Sequence, residues 1–291
     1  MRKSHVLLAA ATLVLLAGGL YSANLLKPSE LSGIAGWKGA QPGPADSFRF
    51  VIFGDRAGGI VPGAWAQAIA ETNRIRPDFV ICVGDLVEGF IQTADEAAAE
   101  WKELDDLTQK LQPPFFYCAG NHDVNARASA QLYNRLHGIN GRNYYSFDYR
   151  SCHFVVLDTC DLSGWYEPDS SAAHWEWLAK DLAAAKQAKH VFVFGHHPLY
   201  DTPAWTRLRK LLEPKKTTVF AGHLHELNYG LEDDVPYYLL PPTAARVVEG
   251  ELHNGKFNGF THVVVEDGKP TISFLPLGAV LPHDYVQRKK Q

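Results

Sequence analysis

The sequence predicts an α/β fold in which two β-sheets pack face to face, flanked by helices on their outer surfaces. Three observations predict it. The first half of the 291-residue chain alternates apolar strand-like runs with amphipathic helical segments, and the second half is richer in strands. The apolar runs are also nearly continuous, as expected for strands buried on both faces. With 46 % hydrophobic and 12 % aromatic residues, the chain can bury the core of one large domain, which we place at residues 48–280.

The predicted elements follow one another in a regular order. The helix that starts after Thr93 is marked by that capping residue and by acidic residues in its first turn. The strands are predicted at 48–54, 77–85, 114–121, 190–195 and 217–222, with a hairpin at 143–150 and 152–160 and short pieces at 237–240, 245–248, 261–265 and 271–275. The helices are predicted at 64–75, 93–111, 172–187 and 202–212.

Both ends of the chain are predicted to lie outside this domain. Arg2 and Lys3 precede an apolar run from Val6 to about Leu20, which is typical of a secretory signal peptide or of a signal anchor in the inner membrane. We therefore interpret residues 1–26 as a signal peptide or signal anchor, with both alternatives open, 27–47 as a linker, and 281–291 as a basic C-terminal tail. Either alternative predicts an extracytoplasmic protein, periplasmic or secreted, or anchored to the membrane through its N-terminal segment.

Charge and cysteine content exclude some classes of partner and of scaffold. The formal net charge of −4 gives no electrostatic reason to expect nucleic acid as a partner. Four cysteines in a chain of this length do not make a disulfide framework. Because all four lie in or beside apolar runs, we expect buried thiols, with Cys82 and Cys118 as possible neighbours.

Five of the predicted strands end in the same way, with a glycine followed by a polar side chain. A single Gly-Asp after a strand is most often a turn, but five such events on apolar strands indicate a shared site, because ligands bind at the carboxyl ends of strands. The polar residues are Asp55, Asp85, Asn121, His122, Asp123, His196, His197, His223 and His225. Oxygen and nitrogen donors without thiolates suit Zn, Mn or Fe. A carboxylate shared by two ions roughly 3.5–4 Å apart is typical of phosphoryl hydrolysis.

Taken together, the motifs GD, GDLVE, GNHD, GHHP and GHLH resemble those of the calcineurin-like metallophosphoesterase superfamily, which includes the purple acid phosphatases and the calcineurin-type phosphatases. The resemblance implies a four-layer αββα fold and a dinuclear centre of divalent or trivalent ions. In that centre Asp55 and His225 would bind the first metal, and Asp85 would bridge both. The second metal would be bound by Asn121, His196 and His223, and His122 would face the substrate instead of a metal.

One position departs from the resemblance. Family members usually begin with Asp-x-His, but this chain has Asp55-Arg56-Ala57. Purple acid phosphatases also lack that histidine and carry a tyrosine three residues after the bridging aspartate, where this chain has Glu88. In calcineurin-type phosphatases an acid there supports the histidine of the GNH motif. Glu88 is therefore interpreted as a partner of His122, as a metal ligand, or as a solvated carboxylate, and Arg56 as a phosphate contact or an ordinary loop arginine.

These assignments imply a metal-dependent phosphoesterase. Metal-activated hydroxide would attack phosphorus, and His122, held by Asp123 or Glu88, would protonate the leaving oxygen. A phosphorylated small molecule or a lipid is the expected substrate. Two alternatives stay open: a non-catalytic binding module on the same fold, which the missing histidine favours, and a nuclease or phosphodiesterase, which the acidic charge balance disfavours.

Overall fold

A computed structural model describes residues 47–90, 93–162, 171–200, 202–213, 215–247 and 255–278. The strands are β1 Ser47–Phe53, β2 Phe79–Cys82, β3 Phe115–Phe116, β4 Tyr145–Tyr149, β5 Cys152–Val156, β6 His190–Phe194, β7 Thr217–Ala221, β8 Asn228–Glu232, β9 Val235–Leu239, β10 Gly259–Glu266 and β11 Lys269–Pro276. The helices are α1 Ala64–Ile75, α2 Ala94–Thr108, α3 Asn121–Val124, α4 Arg127–His137, α5 Thr159–Leu162, α6 Ala172–Ala184 and α7 Pro203–Leu212.

The strands form two mixed sheets. The first has the order β11-β10-β1-β2-β3, and the second has the order β4-β5-β6-β7-β9-β8. Strands β1, β2 and β3 run parallel to one another, as do β5, β6, β7 and β9. Within each parallel set, the loops that follow the strands therefore leave the sheet at the same edge.

Aromatic side chains fill the space between the two sheets. The ring of Phe50 in the first sheet stacks on Phe79 at 5.2 Å between centroids. It also meets Phe154 and Phe192 of the second sheet edge to face, at 5.4 Å and 5.2 Å. All four rings are fully or almost fully buried, so the sheets pack face to face as predicted.

Helices cover the outer surfaces of the sandwich. Trp65 of α1 and Trp101 of α2 belong to the same buried cluster as the first sheet. A second buried cluster joins α6 and α7 to the other sheet through Trp175, Trp205 and Leu208. The α/β class and the two-sheet sandwich with flanking helices are thus confirmed.

The structure differs from the predicted elements in some places and confirms the prediction for the cysteines. No strand forms at 245–247, the described part of the run predicted as a strand, where Ala245 makes only an isolated bridge to Ile60. Strand β8 and helix α4 were not predicted. The four cysteines are free and buried, as predicted, and the backbone N–H of Cys118 lies 3.2 Å from Cys82 Sγ.

His153 is held between two carboxylates on the second sheet. Its Nδ1 lies 2.6 Å from Asp148 Oδ1 and its Nε2 lies 2.9 Å from Asp181 Oδ2. Burial opposes the charged form, but both carboxylates outweigh it and raise the pKa of His153.

We expect the loss in the free energy of unfolding caused by His153→Asn to be largest at low pH and to shrink as the pH rises through the folded-state pKa of His153. Urea unfolding of both proteins at pH 5.5 and pH 9 measures this, and an equal loss at both values would contradict it.

The terminal predictions concern segments that are not described. The interpreted signal segment, most of the linker and the C-terminal tail lie outside the described residues. Among the residues that are described, no helix is both long and apolar enough to cross a bilayer. The domain bounds of 48–280 and the extracytoplasmic location stay predictions.

Candidate metal centre

The polar residues that follow β1, β2, β3, β6 and β7 come together at one edge of the sandwich. Two glycines allow the loops after β2 and β3 to approach this closely. A Cβ on Gly84 would lie 2.7 Å from Gly120 N, and a Cβ on Gly120 would lie 2.2 Å from the backbone N of Asp85. Gly84 and Gly120 are therefore explained by the close approach of the two loops, which leaves no space for a Cβ.

His196 lies at the middle of the cluster. Its Nδ1–H donates to the carbonyl of Val83 at 2.9 Å, which directs Nε2 toward the other polar groups. That Nε2 lies 3.0 Å from Asn121 Oδ1, 3.2 Å from Asp85 Oδ2 and 3.2 Å from His223 Nδ1. The structure thus brings together the four residues that the resemblance assigns to the second metal.

The remaining two assigned residues, Asp55 and His225, contact each other. Asp55 Oδ2 accepts a hydrogen bond from the backbone N–H of His223 at 3.0 Å and lies 3.1 Å from His225 Nε2. The other nitrogen of His225 lies 3.1 Å from the carbonyl of Arg246. Asp55 is completely buried, and its Oδ1 has no hydrogen-bond partner within the described residues. A buried carboxylate oxygen without a partner is costly, and a bound cation would satisfy it.

The electrostatics of the cluster couple its acids to its imidazoles. Burial would raise the pKa of Asp85, but His196 and His122 hold it at about 2. Burial likewise opposes the charge on His196, but Asp85 and Asp55 raise its pKa to about 9. Only a neutral imidazole can ligate a metal, so metal binding by His196 competes with its protonation.

The donor set fits metal ions. Ligand atoms of Asp55, Asp85 and His196 lie within 4.8 Å of one another, and so do those of His196, His197 and His223. Carboxylate, amide and imidazole groups without a thiolate are the ligands expected for Zn, Mn or Fe. The ring of His197 lies 4.5 Å from that of His223.

His122 lies beside this cluster instead of within it. Its Nδ1–H donates to the backbone carbonyl of Glu88 at 2.6 Å. Its Nε2 lies 3.9 Å from Asp85 Oδ2, beyond hydrogen-bond range, and the side chain is 20 % exposed. The carbonyl fixes the tautomer and the orientation of the ring, so that Nε2 is the nitrogen that faces the centre.

The hydrogen bonds of Glu88 indicate a further role beside its three interpretations. Its partnership with His122 runs through the backbone carbonyl and not through the carboxylate. The carboxylate instead accepts hydrogen bonds from the backbone N–H groups of Gly58, Gly59 and Ile60, at 3.2, 2.9 and 2.9 Å. This is the loop that follows Ala57, the position without the expected histidine. Glu88 therefore anchors that loop.

We expect Glu88→Ala to keep both metal ions while loosening this loop, because the carboxylate is occupied by three backbone donors. Elemental analysis after mild chelation measures the metal, and amide hydrogen exchange of residues 58–60 measures the loop. Glu96→Ala, which removes an exposed acid in the first turn of α2, is the matched control. Loss of one metal equivalent from Glu88→Ala alone would identify the carboxylate as a ligand.

Asp123 also has a different role from the one expected. Its carboxylate does not hold His122 but accepts four backbone N–H groups, from Asp85, Leu86, Val87 and Gly120, at 2.8–3.2 Å. The side chain is completely buried. Burial and the nearby Asp85 raise its pKa to about 7, against the pull of these donors. Asp123 thus positions the backbone of Asp85.

Arg56 is directed into the protein. Its guanidinium donates to the carbonyl of Leu86 at 2.9 Å and to Glu103 Oε1 at 2.5 Å, and the side chain is 2 % exposed. These contacts favour a structural role over the phosphate contact that the sequence also left open. The guanidinium holds the loop after β2 to helix α2.

A further positioning residue, Thr159, was not predicted from the sequence. Its hydroxyl accepts hydrogen bonds from the backbone N–H groups of His196 and His197, at 2.9 and 2.8 Å. Thr159 begins the short helix α5, and nothing in its local sequence resembles a ligand motif. Only the pairing of β5 with β6 brings it to this edge.

Comparison with known proteins agrees with this geometry. The sequence profile described as calcineurin-like phosphoesterase matches residues 48–227, which is more than half of the chain. The human serine/threonine-protein phosphatase CPPED1 is 27 % identical over 191 residues, covering 55 % of this chain and 57 % of that protein. This chain therefore spans little more than half the length of CPPED1.

Two further relatives cover more of the chain. Tartrate-resistant acid phosphatase type 5 of Rattus norvegicus is 28 % identical over 284 residues, covering 81 % of this chain and 85 % of that protein. The crystal structure of a dimetal phosphatase from Danio rerio superposes with a TM-score of 0.61 at 16 % identity, covering 82 % of this chain and 99 % of that one. At that identity the structural match supports the fold alone.

Proposed function

The chain belongs to the calcineurin-like phosphoesterase family, and from this premise we propose that it is a metal-dependent hydrolase of phosphoric esters. The observation that carries the proposal is the buried meeting of Asp55, Asp85 and His196, with Asn121 and His223 in contact with the same imidazole. A structural role alone does not explain a partnerless buried carboxylate oxygen within such a set.

We assign the metal-holding role to six residues. Asp55 and His225 would hold one ion, Asp85 would be shared, and Asn121, His196 and His223 would hold the other. Bound metal ions supply charge neutralisation and a water of lowered pKa. The protein contributes the fixed positions of the ligands: Val83 and Arg246 orient two of the imidazoles through their carbonyls, and Asp123 fixes the loop of Asp85.

His122 supplies the proton that hydrolysis requires. When a water oxygen replaces the alcohol oxygen on phosphorus, the departing alkoxide must gain a proton. The imidazolium of His122 would donate it from Nε2, since Nδ1 is committed to the carbonyl of Glu88.

The test is phosphate release by the full chain after chelation and after reloading with Mn, Fe or Zn. Phenyl phosphate serves as the monoester and bis-(4-nitrophenyl) phosphate as the diester. We expect turnover of the monoester only after reloading. His122→Asn should lower kcat by about a hundredfold to a thousandfold without loss of metal, since a proton donor and not a ligand is removed.

His262→Asn is the matched control, because it removes a half-buried imidazole on β10, outside the cluster. The proposal fails if the reloaded protein releases no phosphate, which would leave a binding module. Loss of metal from His122→Asn would show that this residue is a ligand. Preference for the diester would move the activity to the phosphodiesterase alternative.

We also propose that the enzyme acts outside the cytoplasm on a phosphorylated small molecule. The apolar run between Val6 and about Leu20, preceded by Arg2 and Lys3, supports this location. Fractionation of cells that express the full chain, followed by N-terminal sequencing, tests it. A cytoplasmic product that retains its N-terminus would contradict it.

A further inference from the structure

Phe90 has two features that the stability of the fold does not explain. Its side chain is 66 % exposed, the most exposed of the large apolar residues among those the structure describes. Its backbone has a φ of 55°, in the left-handed region that is strained for a residue with a Cβ. A strained residue that exposes an apolar ring is a reason to look for a function.

The turn that presents Phe90 is built onto the backbone of His122. Gly89 precedes it with a φ of 63°, and its N–H donates to Glu100 Oε2 at 3.1 Å. A Cβ on Gly89 would lie 1.9 Å from the carbonyl oxygen of His122. The close approach excludes other residues at 89 and fixes where the chain continues. The position of Phe90 relative to His122 is therefore set by packing.

The ring of Phe90 lies at the leaving-group side of the proposed site. Its centroid is 4.9 Å from that of the His122 imidazole, with the two planes perpendicular. Since His122 would protonate the departing oxygen, a ring beside it meets the alcohol part of the ester rather than the phosphate. A second exposed apolar side chain, Leu224, stands between His223 and His225 and is 44 % exposed.

We propose, resting on the proposed function above, that Phe90 is a specificity residue for phosphate monoesters whose alcohol carries an aromatic or other apolar group. Such a group would pack against the exposed ring and remove it from water. A polar alcohol would gain nothing from the same contact. Leu224 adds to the apolar surface at this edge.

The test compares two substrates with alcohols of similar acidity, 2-phenylethyl phosphate and glycerol 3-phosphate, on the metal-loaded full chain. The measured quantity is the ratio of their kcat/KM values. We expect Phe90→Ala to lower that ratio by about fivefold to tenfold, the range that loss of one aromatic contact gives. Phe90→Trp should preserve the ratio. Leu231→Ala, which truncates a 57 % exposed leucine on the edge strand β8, is the matched control and should preserve it too.

A binding measurement separates this inference from the proposed function. Calorimetry would compare 2-phenylethylphosphonate with methylphosphonate, neither of which is hydrolysed, on wild type and Phe90→Ala. We expect the preference for the phenyl compound to fall by the same factor. If neither ester is hydrolysed, the proposed function fails, and this measurement still decides the role of Phe90. If Phe90→Ala loses affinity equally for both phosphonates, or keeps the wild-type ratio of kcat/KM values for the two esters, the inference is overturned while hydrolysis by the wild type stands.

Discussion

Replacing Asp85 by Asn is expected to lower kcat/KM for phenyl phosphate by about a thousandfold or more, because a preorganised charged group that serves both ions is removed. Asp85 is 2 % exposed, and its carboxylate contacts the backbone N–H of His122 and the Nε2 of His196. Asparagine keeps the volume but loses the charge. Elemental analysis of the same variant should show less than the wild-type metal content.

A matched control lies at the other end of the same strand. Asp78 precedes β2, is 7 % exposed, and accepts hydrogen bonds from Arg49 N at 2.9 Å and from the Tyr149 hydroxyl at 2.7 Å. We expect Asp78→Asn to lower the unfolding midpoint and to retain metal. If Asp85→Asn keeps its activity within about tenfold of wild type while remaining folded, Asp85 does not hold the shared position.

Gly120→Ala is expected to lower the free energy of unfolding by at least about 3 kcal/mol, or to abolish folding, because the new Cβ has nowhere to move. It would lie 2.2 Å from Asp85 N and 2.3 Å from Asp85 Oδ1. The backbone at Gly120 has a φ of −110°, which any residue adopts. The expected loss is therefore steric and not conformational. Urea unfolding followed by circular dichroism measures it.

Gly63→Ala provides the opposite case. Gly63 has a φ of 83°, but a Cβ there would meet no atom within 4 Å. It should cost only about 1–2 kcal/mol, from backbone conformation alone. A smaller loss in Gly120→Ala than in Gly63→Ala would show that the loops of Asp85 and Asn121 can separate, and that their contact does not define the site.

The clustering of the candidate metal-site residues could be predicted from the sequence because their signal is local. Five of the six directly follow a glycine at the end of an apolar strand, and parallel strands bring such ends to one edge. The orientation of the neighbouring side chains is not local. His122 and Asp123 are adjacent, but both lie on the helix α3, where successive side chains diverge by about 100°. Asp123 therefore turns into the core while His122 faces the site.

Other differences arise from contacts between distant parts of the chain. Arg56 pairs with Glu103 on helix α2, and the carboxylate of Glu88 binds the loop at 58–60. Both contacts join residues that are far apart in the sequence, so no local motif predicts them. Strand β8 was missed because its residues are half-buried or exposed and include a glycine. Helix α4 buries only Ser129, Leu132 and Tyr133, which leaves a weak apolar pattern.

The strand predicted at 245–248 does not form in its described part, 245–247, for a related reason. Instead of joining a ladder, this segment packs against the site: Ala244 N–H donates to the carbonyl of Asp55 at 3.0 Å, and the carbonyl of Arg246 meets His225 Nδ1. A run of residues with strand propensity thus orients the imidazole of His225. Tertiary contacts decide its conformation.

The anchoring of residues 58–60 by Glu88 has a consequence for the preorganisation of the centre. The carboxylate belongs to the loop that follows β2, and it holds the segment after Ala57 through three backbone hydrogen bonds that need no ion to form. This wall of the centre is therefore shaped by the fold itself, independently of any bound ion.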